Sequence, residues 1–364
     1  MKLDSHQLLL MQRAMLRANK LSLRGLGRTS PNPIVGAVIV NDDGQDISSG
    51  FHVGGDHAEI VAIKNAQSSG ISDFSSLTLV VTLEPCNHHG KTPPCSDAII
   101  KAGFARVIYA VADPNPIARG GADKIREAGI EVIDGIEKEY VAFSNRAWLK
   151  RVNTGSPWII TKIAASLDGK IAAADGSSQW ITSGDARADV ATLRNQSDAI
   201  ITTTETVLHD DPDLTPRFPH QNPTARSVNP VQIVIGTREV QASATIKNDR
   251  AETRFIKSRS LNELLEMAQT EKWNQVMVEA GAKFNSALFE ADLIDEVVLY
   301  QAPRLLGSGK DFAGELSIST LTDRKDFSFG EIRRIGRDLR TQLLRKNSTI
   351  AELFGPELSV VGEK

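Results

Sequence analysis

The sequence predicts an α/β protein of two domains. Apolar runs of strand length alternate with helix-period patterns through the first 150 residues, the arrangement of a layered α/β domain. A second alternation begins at WIITKIAAS (158–166), after the turn-rich stretch RVNTGSP (151–157). The halves carry different motifs and no internal repeat, and 364 residues suit two domains of ordinary size, 1–152 and 153–364.

Taken in order, Leu8, Met11, Met15 and Ala18 fall on one face of an amphipathic helix. IVGAVIV (34–40) reads as a buried strand, HAEIVAIKNAQ (57–67) as a helix, and LTLVVTLEPC (77–86) as a strand ending at a cysteine. CSDAIIKAG (95–103) reads as a helix introduced by two prolines and closed by Gly103. ARVIYAVAD (105–113) is another strand, and helices follow over 121–129 and 137–152. In the second half, VATLRNQSDAIITT (190–203) gives a helix and then a strand, VQIVIG (231–236) a strand, and LNELLEMAQT (261–270) a helix. NQVMVEAG (274–281) is a strand entering a glycine turn, FNSALFEADL (284–293) a helix and DEVVLYQAP (295–303) a strand. Periodicity is too weak to place 241–259 or the C-terminal tail.

Composition narrows the function. The apolar share is 41%, the charged share 24% and the net charge −3, values of an ordinary globular chain with no global pull toward a polyanion. Residues 1–152 hold 17 Lys and Arg against 16 Asp and Glu, so this half has no electrostatic footprint for nucleic acid. The N-terminus lacks the continuous apolar core of a signal peptide, and no stretch reaches the ~18 apolar residues of a membrane span. The expected setting is therefore the cytoplasm, with a small-molecule substrate and neither nucleic acid nor membrane as partner.

Both cysteines lie in EPCNHHGKTPPC (84–95). A disulfide is unusual in a reducing compartment. His57, Cys86 and Cys95 make a tripod suited to Zn2+, and three protein ligands leave the fourth position to solvent, as catalytic zinc sites do. Glu59, two residues after His57, reaches the same pocket without being a ligand and suits proton transfer. Two other readings stand beside this one: a closed structural site completed by His88 or His89, and a pair of inert buried cysteines. The zinc nucleobase deaminases carry H-x-E followed by P-C-x-x-C; here eight residues separate the cysteines.

PNPIVGAVIV (31–40), GFHVGGDHAE (50–59), EPCNHHGKTPPC (84–95) and VADPNP (111–116) resemble the deaminase half of the bifunctional riboflavin-biosynthesis deaminase/reductase family. The resemblance spans about residues 5–150. It implies a cytidine-deaminase-like three-layer fold and places Asn32, His52 and His88 against the pyrimidine or its ribosyl group. Read alone, Asn32 is equally a turn residue between prolines and His52 a satisfied strand-end histidine.

KIAASLDGKIA (162–172), QWITS (179–183), RNQSDAIITTTETVLHDDPDLTPR (194–217) and VEAGAKFNSALFEADLIDEVVLYQAPRLLG (278–307) resemble the reductase half of the same family, which is similar to the dihydrofolate reductase fold. No Gly-x-Gly-x-x-Gly follows the first strand of this half. Gly281 instead lets a phosphate approach the backbone at a helix start. Thr203, Thr204 and Thr206 can donate to phosphate, and Arg194 and Arg217 suit the substrate's phosphate by their forked geometry. The resemblance implies NADPH as cofactor, lined by Ala164, Trp180, Thr206, Asp210 and Gly281. It places Ser178, Arg194, Leu214, Arg217 and Glu279 against the ribosyl phosphate, with Lys162 near the reacting carbon. Trp180 also reads as a core residue, Arg194 as a helix-end charge and Asp210 as part of a turn. VEAG carries alanine where many members of the family have a second glycine.

The reading is a homo-oligomeric bifunctional enzyme that hydrolytically deaminates 2,5-diamino-6-(5-phosphoribosylamino)pyrimidin-4-one, then reduces the ribosyl group of the resulting uracil with NADPH. Its rivals are a tRNA-type nucleic-acid deaminase with an accessory domain and a non-enzymatic zinc-stapled binding module.

Overall fold

The computed structural model describes residues 3–88, 93–216 and 229–346. Contacts divide the chain into two compact units, Met1–Asn153 and Thr154–Lys364.

The first unit opens with α1 (Ser5–Ser22), capped by Asp4, whose carboxylate accepts from the Gln7 amide. Its buried face is Met11, Ala14, Met15 and Ala18, whereas Leu8, expected on that face, is 41% exposed. β1 (Gly36–Val40) pairs antiparallel with β2 (Asp46–Phe51) on one side and with β3 (Thr78–Leu83) on the other. β4 (Arg106–Val111) and β5 (Glu131–Asp134) continue the sheet in parallel, giving the order β2-β1-β3-β4-β5. The crossovers are α2 (Ala58–Ser68), α3 (Cys95–Ala102) and α4 (Gly121–Glu127). These helices share one core with Ala37, Ile39, Leu79, Val81 and Val107. α1 packs on the opposite face, so the unit has three layers.

Two strands of this sheet lack an alternating apolar signature. β2 is an edge strand of sequence DISSGF, and β5 is only EVID. The helix expected over 137–152 is two helices, α5 (Lys138–Ser144) and α6 (Arg146–Thr154). The break is Asn145, whose buried amide donates to the Ile34 carbonyl and accepts from the Ile34 amide at the entrance to β1. A side chain in that role favours a turn over a continuous helix. The expected linker 151–157 is likewise corrected: α6 runs through Thr154, and only Gly155, Ser156 and Pro157 precede the next strand.

The second unit is built on β6 (Trp158–Ser166), which is followed by β7 (Lys170–Ala172), α7 (Gly184–Gln196), β8 (Ala199–Thr203) and α8 (Thr204–Asp210). Next come β9 (Val231–Ile235), β10 (Thr253–Ile256), α9 (Leu261–Thr270), β11 (Gln275–Val278), α10 (Ala282–Glu290) and β12 (Glu296–Ala302). β13 (Lys310–Asp311) pairs with β7, and a hairpin of β14 (Phe327–Ile335) and β15 (Asp338–Arg345) closes the described chain. The eight-stranded sheet has the order β10-β9-β8-β11-β6-β12-β15-β14, parallel from β10 to β12 and antiparallel in the hairpin.

Along β6, Ile159, Ile163 and Ala165 enter the core shared with α9 and α10. Alternation sends Lys162 and Ala164 to the opposite face. Buried carboxylates register the strand starts. Asp198 accepts from the Asn274 and Gln275 amides at 2.7 and 3.1 Å, and Asp295 from the Ile159 amide at 2.8 Å. Among the described residues no helix is long and apolar enough to cross a membrane.

α2 rests directly on β2: a Cβ at Gly50 would lie 2.4 Å from the Ala58 carbonyl oxygen and 2.6 Å from the Ala62 amide. Gly50→Ala therefore forces the two backbones apart. Equilibrium urea unfolding should show a loss of about 1–3 kcal/mol, the usual cost of overpacking.

Candidate active sites

The first site collects residues from the ends of three elements. His57 is the N-cap of α2, with extended backbone. Cys95 is the first residue of α3, and Cys86 follows the end of β3. The Cys86 segment is held from the side of α4. Glu84 accepts from the Asp113, Gly120 and Ala122 amides at 3.1, 3.0 and 3.3 Å. The Asn87 amide donates to the Ala118 carbonyl at 2.9 Å. A Cβ on Gly121 would sit 1.8 Å from the Pro85 carbonyl oxygen, so only glycine allows this approach.

The result is a compact donor set. His57 Nδ1 lies 3.2 Å from Cys95 Sγ and 3.6 Å from Cys86 Sγ. Among the described residues, His57, Cys86 and Cys95 form the one group of such side chains whose ligand atoms all lie within 4.8 Å of one another. A tetrahedral zinc with bonds of ~2.0–2.3 Å separates its ligands by roughly 3.3–3.8 Å, so these residues fit zinc. The closed alternative with His88 is not what the geometry assembles, and His89 lies outside the described residues. Both thiols are free and buried. A hydrogen bond from Cys95 lowers Cys86, and Cys95 itself is driven up by that bond and by burial. A bound cation would draw the protons from both thiols.

Glu59 sits in the first turn of α2, 3% exposed, and burial pushes its carboxyl up to about 7. At that value it can both accept and return a proton near neutral pH. His52 packs its ring edge-on against His57, with centroids 5.4 Å apart, and its Nδ1 meets the Asp56 carbonyl at 3.1 Å. Burial lowers the His52 pKa, which favours the neutral ring. Asn32 lies exposed in the turn before β1, its amide bonded to the Thr29 carbonyl. His88 has a buried Nδ1 with no hydrogen-bond partner among the described residues.

In the second unit, three of the expected residues converge. The Glu279 carboxylate, just past β11, takes Arg194 Nε at 2.5 Å, Arg194 Nη2 at 3.0 Å and Lys162 Nζ at 3.2 Å. Burial opposes its charge, but Arg194 and Lys162 outweigh burial and hold it at about 2. Arg194 Nη1 also donates to the Thr215 carbonyl at 3.3 Å. Arg194 is thus neither a plain helix-end charge nor a fork left free for phosphate; most of its donors are already engaged. Leu214 needs a correction too: its side chain is buried with Ile200, Val207 and Val234, at a left-handed φ of 60°. Only its backbone is left to meet a substrate. Arg217 lies outside the described residues.

A second group gathers on α8, and Gly281 opens α10 beyond the neighbouring strand β11. Ser178 Oγ donates to Asp210 Oδ1 at 3.3 Å, and His209 Nδ1 meets the same oxygen at 2.9 Å. Thr203 ends β8 and caps α8 by accepting from the Thr206 amide. Ala164 is half-buried on the Lys162 face of β6. Trp180 is 62% exposed, which excludes the core reading. Gly281 caps α10 with φ −76°, and a Cβ there would meet nothing within 4 Å. That open space at the N-terminus of a nine-residue helix fits the phosphates of a dinucleotide.

Sequence reasoning missed Glu84, Gly121, Asp113 and Thr215. Glu84 and Asp113 stand inside quoted motifs, but nothing local marks them. Burial of Asp113 raises its carboxyl to about 6, beside Glu84.

Comparison with known proteins adds the following. Residues 10–111 match the family model of the cytidine and deoxycytidylate deaminase zinc-binding region, and residues 157–340 that of the RibD C-terminal domain. The chain is 40% identical over 323 residues to the riboflavin biosynthesis protein RibD of Mycobacterium tuberculosis, covering 88% of this chain and 93% of that protein. It is 39% identical over 364 residues to the RibD protein of Escherichia coli, covering 91% and 98%. The crystal structure of a diaminohydroxyphosphoribosylaminopyrimidine deaminase/5-amino-6-(5-phosphoribosylamino)uracil reductase from Thermotoga maritima is similar with a TM-score of 0.85 at 32% identity, covering 94% of this chain and all of that one. RibD from Acinetobacter baumannii gives 0.83 at 34% identity, covering 93% of this chain and 100% of that one.

The donor geometry makes a direct prediction. Purified chain should carry one zinc per polypeptide by elemental analysis. Cys95→Ser should lose most of it, because a hydroxyl replaces a thiolate in a three-ligand site. Full zinc retention in that variant would rule out the tripod.

Proposed function

The chain belongs to the RibD family of bifunctional deaminase/reductases of riboflavin biosynthesis, and we propose that each of its compact units carries one of the two reactions. The observation that supports this best is the His57, Cys86 and Cys95 cluster closing beside buried Glu59, within the segment matched by the deaminase zinc-binding region.

For deamination, His57, Cys86 and Cys95 hold the zinc. When bound, the ion supplies Lewis acidity at the position the tripod leaves open. Glu59 takes a proton from the attacking water and delivers it to the amino nitrogen leaving the pyrimidine, so that ammonia departs and a carbonyl remains. Neutral His52 keeps the His57 ring aligned by its edge contact and adds no charge of its own to the pocket. His88 Nδ1, buried without a partner among the described residues, and Asn32 are assigned to the pyrimidine or its ribosyl group.

For reduction, Gly281 and the first turn of α10, with Thr206, Asp210, Trp180 and Ala164, hold NADPH. NADPH held there would supply the hydride for reduction at C1′ of the opened sugar. Lys162 Nζ, oriented by Glu279, holds the proton nearest that carbon. Glu279, Arg194, Ser178, Arg217 and the Leu214 backbone orient the phosphoribosyl group. Reduction follows deamination if the pocket hydrogen-bonds the uracil carbonyl and rejects an amine in its place.

The substrate is a small pyrimidine ribosyl phosphate, and neither nucleic acid nor membrane is a partner. We place the enzyme in the cytoplasm, where two free cysteines stay reduced. A homo-oligomer is supported by edge strand β14, which exposes Phe329 and Ile332.

The test is to supply the diaminopyrimidine phosphate with and without NADPH and to identify products by mass. Deaminated uracil should form without NADPH and its ribityl counterpart with it. Glu59→Gln should keep its zinc while ammonia release falls by roughly 10²–10⁴-fold. Gly281→Val should lower the melting temperature only by the small cost of a poorer N-cap residue, since φ is ordinary and the space is open, yet weaken NADPH binding in a fluorescence titration. Unchanged cofactor affinity would remove Gly281 from the site.

A further inference from the structure

Trp180 poses a problem that its assignment to the cofactor site leaves unsolved. An indole that is 62% exposed has little packing of its own to fix its orientation. A freely rotating platform would have to be ordered each time a ligand stacked on it, a loss worth about two- to tenfold in affinity per immobilised side chain.

The structure supplies restraints from two separate elements. On one face of the ring, the Arg187 guanidinium sits 4.4 Å from the centroid. That cation is fixed in turn, because Arg187 Nη1 donates to the Thr182 carbonyl at 3.0 Å. From the segment after β12, Arg304 Nη1 donates to the Trp180 carbonyl at 3.2 Å. The Arg304 backbone is itself tied to the ends of β6 and β12: its carbonyl accepts from the Leu167 amide at 2.7 Å, and its amide donates to the Ala302 carbonyl at 2.8 Å. Just beyond the tryptophan, the Ser183 amide donates to Asp338, a side chain only 1% exposed, at 2.6 Å. Neither Arg187 nor Arg304 forms an ion pair among the described residues. Their charged groups are spent on Trp180 and its neighbours.

We infer that Arg187 and Arg304 are positioning residues for the reduction, holding the exposed Trp180 indole as a preset platform for the flat nicotinamide ring. Arg187 covers one face of the indole, and the exposed face is left for the ligand. Arg304 ties the platform to the end of β6, the strand that carries Lys162 and Ala164. The inference rests on the reading of Trp180 as part of the cofactor site.

A double-mutant cycle on the full-length chain tests it, with NADPH dissociation constants from titration and kcat for reduction of pre-formed deaminated substrate. Arg187→Met should weaken NADPH about two- to tenfold. Arg187→Lys, which keeps a cation over the ring, should recover most of that loss. In a Trp180→Ala background, Arg187→Met should cost nothing further, because the ring it steadies is gone. Arg304→Met provides a second variant acting on the same platform from its carbonyl. If Arg187→Met weakens NADPH equally with and without Trp180, the arginine serves the fold of α7 and the inference is overturned. It is also overturned if Trp180→Ala weakens NADPH while both arginine variants bind normally. If Trp180→Ala itself leaves NADPH binding unchanged, the underlying reading of Trp180 fails, and that result is distinct from the others.

Discussion

A parallel strand ends with backbone groups its neighbours do not use, next to the amide-rich first turn of the helix that follows. Both sites of this chain are assembled on such edges. In the first unit, β3 leads to Cys86 and β4 to Asp113, while α2 and α3 begin at or beside His57 and Cys95. In the second unit, β8 leads to Thr203, and β11 leads to Glu279 and then to Gly281 at the start of α10. The two units have different sheets and different chemistry, but each places its reactive groups where the polypeptide changes direction.

Three buried glutamates show how surroundings turn one side chain to different uses. Glu84 is satisfied by amides of Asp113, Gly120 and Ala122, and organises the loops around Cys86. Glu279 faces Arg194 and Lys162 and stays ionised, held at about 2 against its burial. It suits orientation of polar groups and cannot act as an acid near neutral pH. Glu59 is buried without such a cationic pair, and its carboxyl rises to about 7. Desolvation without a full counter-charge suits it to the proton-carrying role proposed for it.

Much of the fold was legible because strand and helix periods repeat locally. β1, β3, β4, β6 and β11 are apolar runs buried between layers, and α2, α3, α9 and α10 carry helical spacing, with Gly103 closing α3 and the Ser260 hydroxyl capping α9. Elements without those signals escaped. β2 is a polar edge strand, and the β14–β15 hairpin is largely exposed on β14 and interrupted by a register shift between Phe329 and Ile332. The break between α5 and α6 depends on Asn145 reaching Ile34, 111 residues away in sequence. No local window contains that contact.

By itself, the sequence determined the chemistry available: one imidazole, two thiols and a carboxyl at helix starts and a strand end, a set that suits zinc and proton transfer but is equally open to a closed structural site until the fold is known. Donor type and placement at element termini are local properties, so they can be read without a fold. Tertiary structure decided which charge meets which. Arg194 reads as a phosphate ligand, yet it is paired with Glu279, 85 residues later in the chain. Trp180 reads by itself more readily as core than as site until its exposure is known, and Arg304, 124 residues away, reaches its carbonyl. Coulombic and hydrogen-bond energies depend on distances of a few ångströms between atoms. Such distances between residues far apart in sequence exist only once the sheet has brought their strands together.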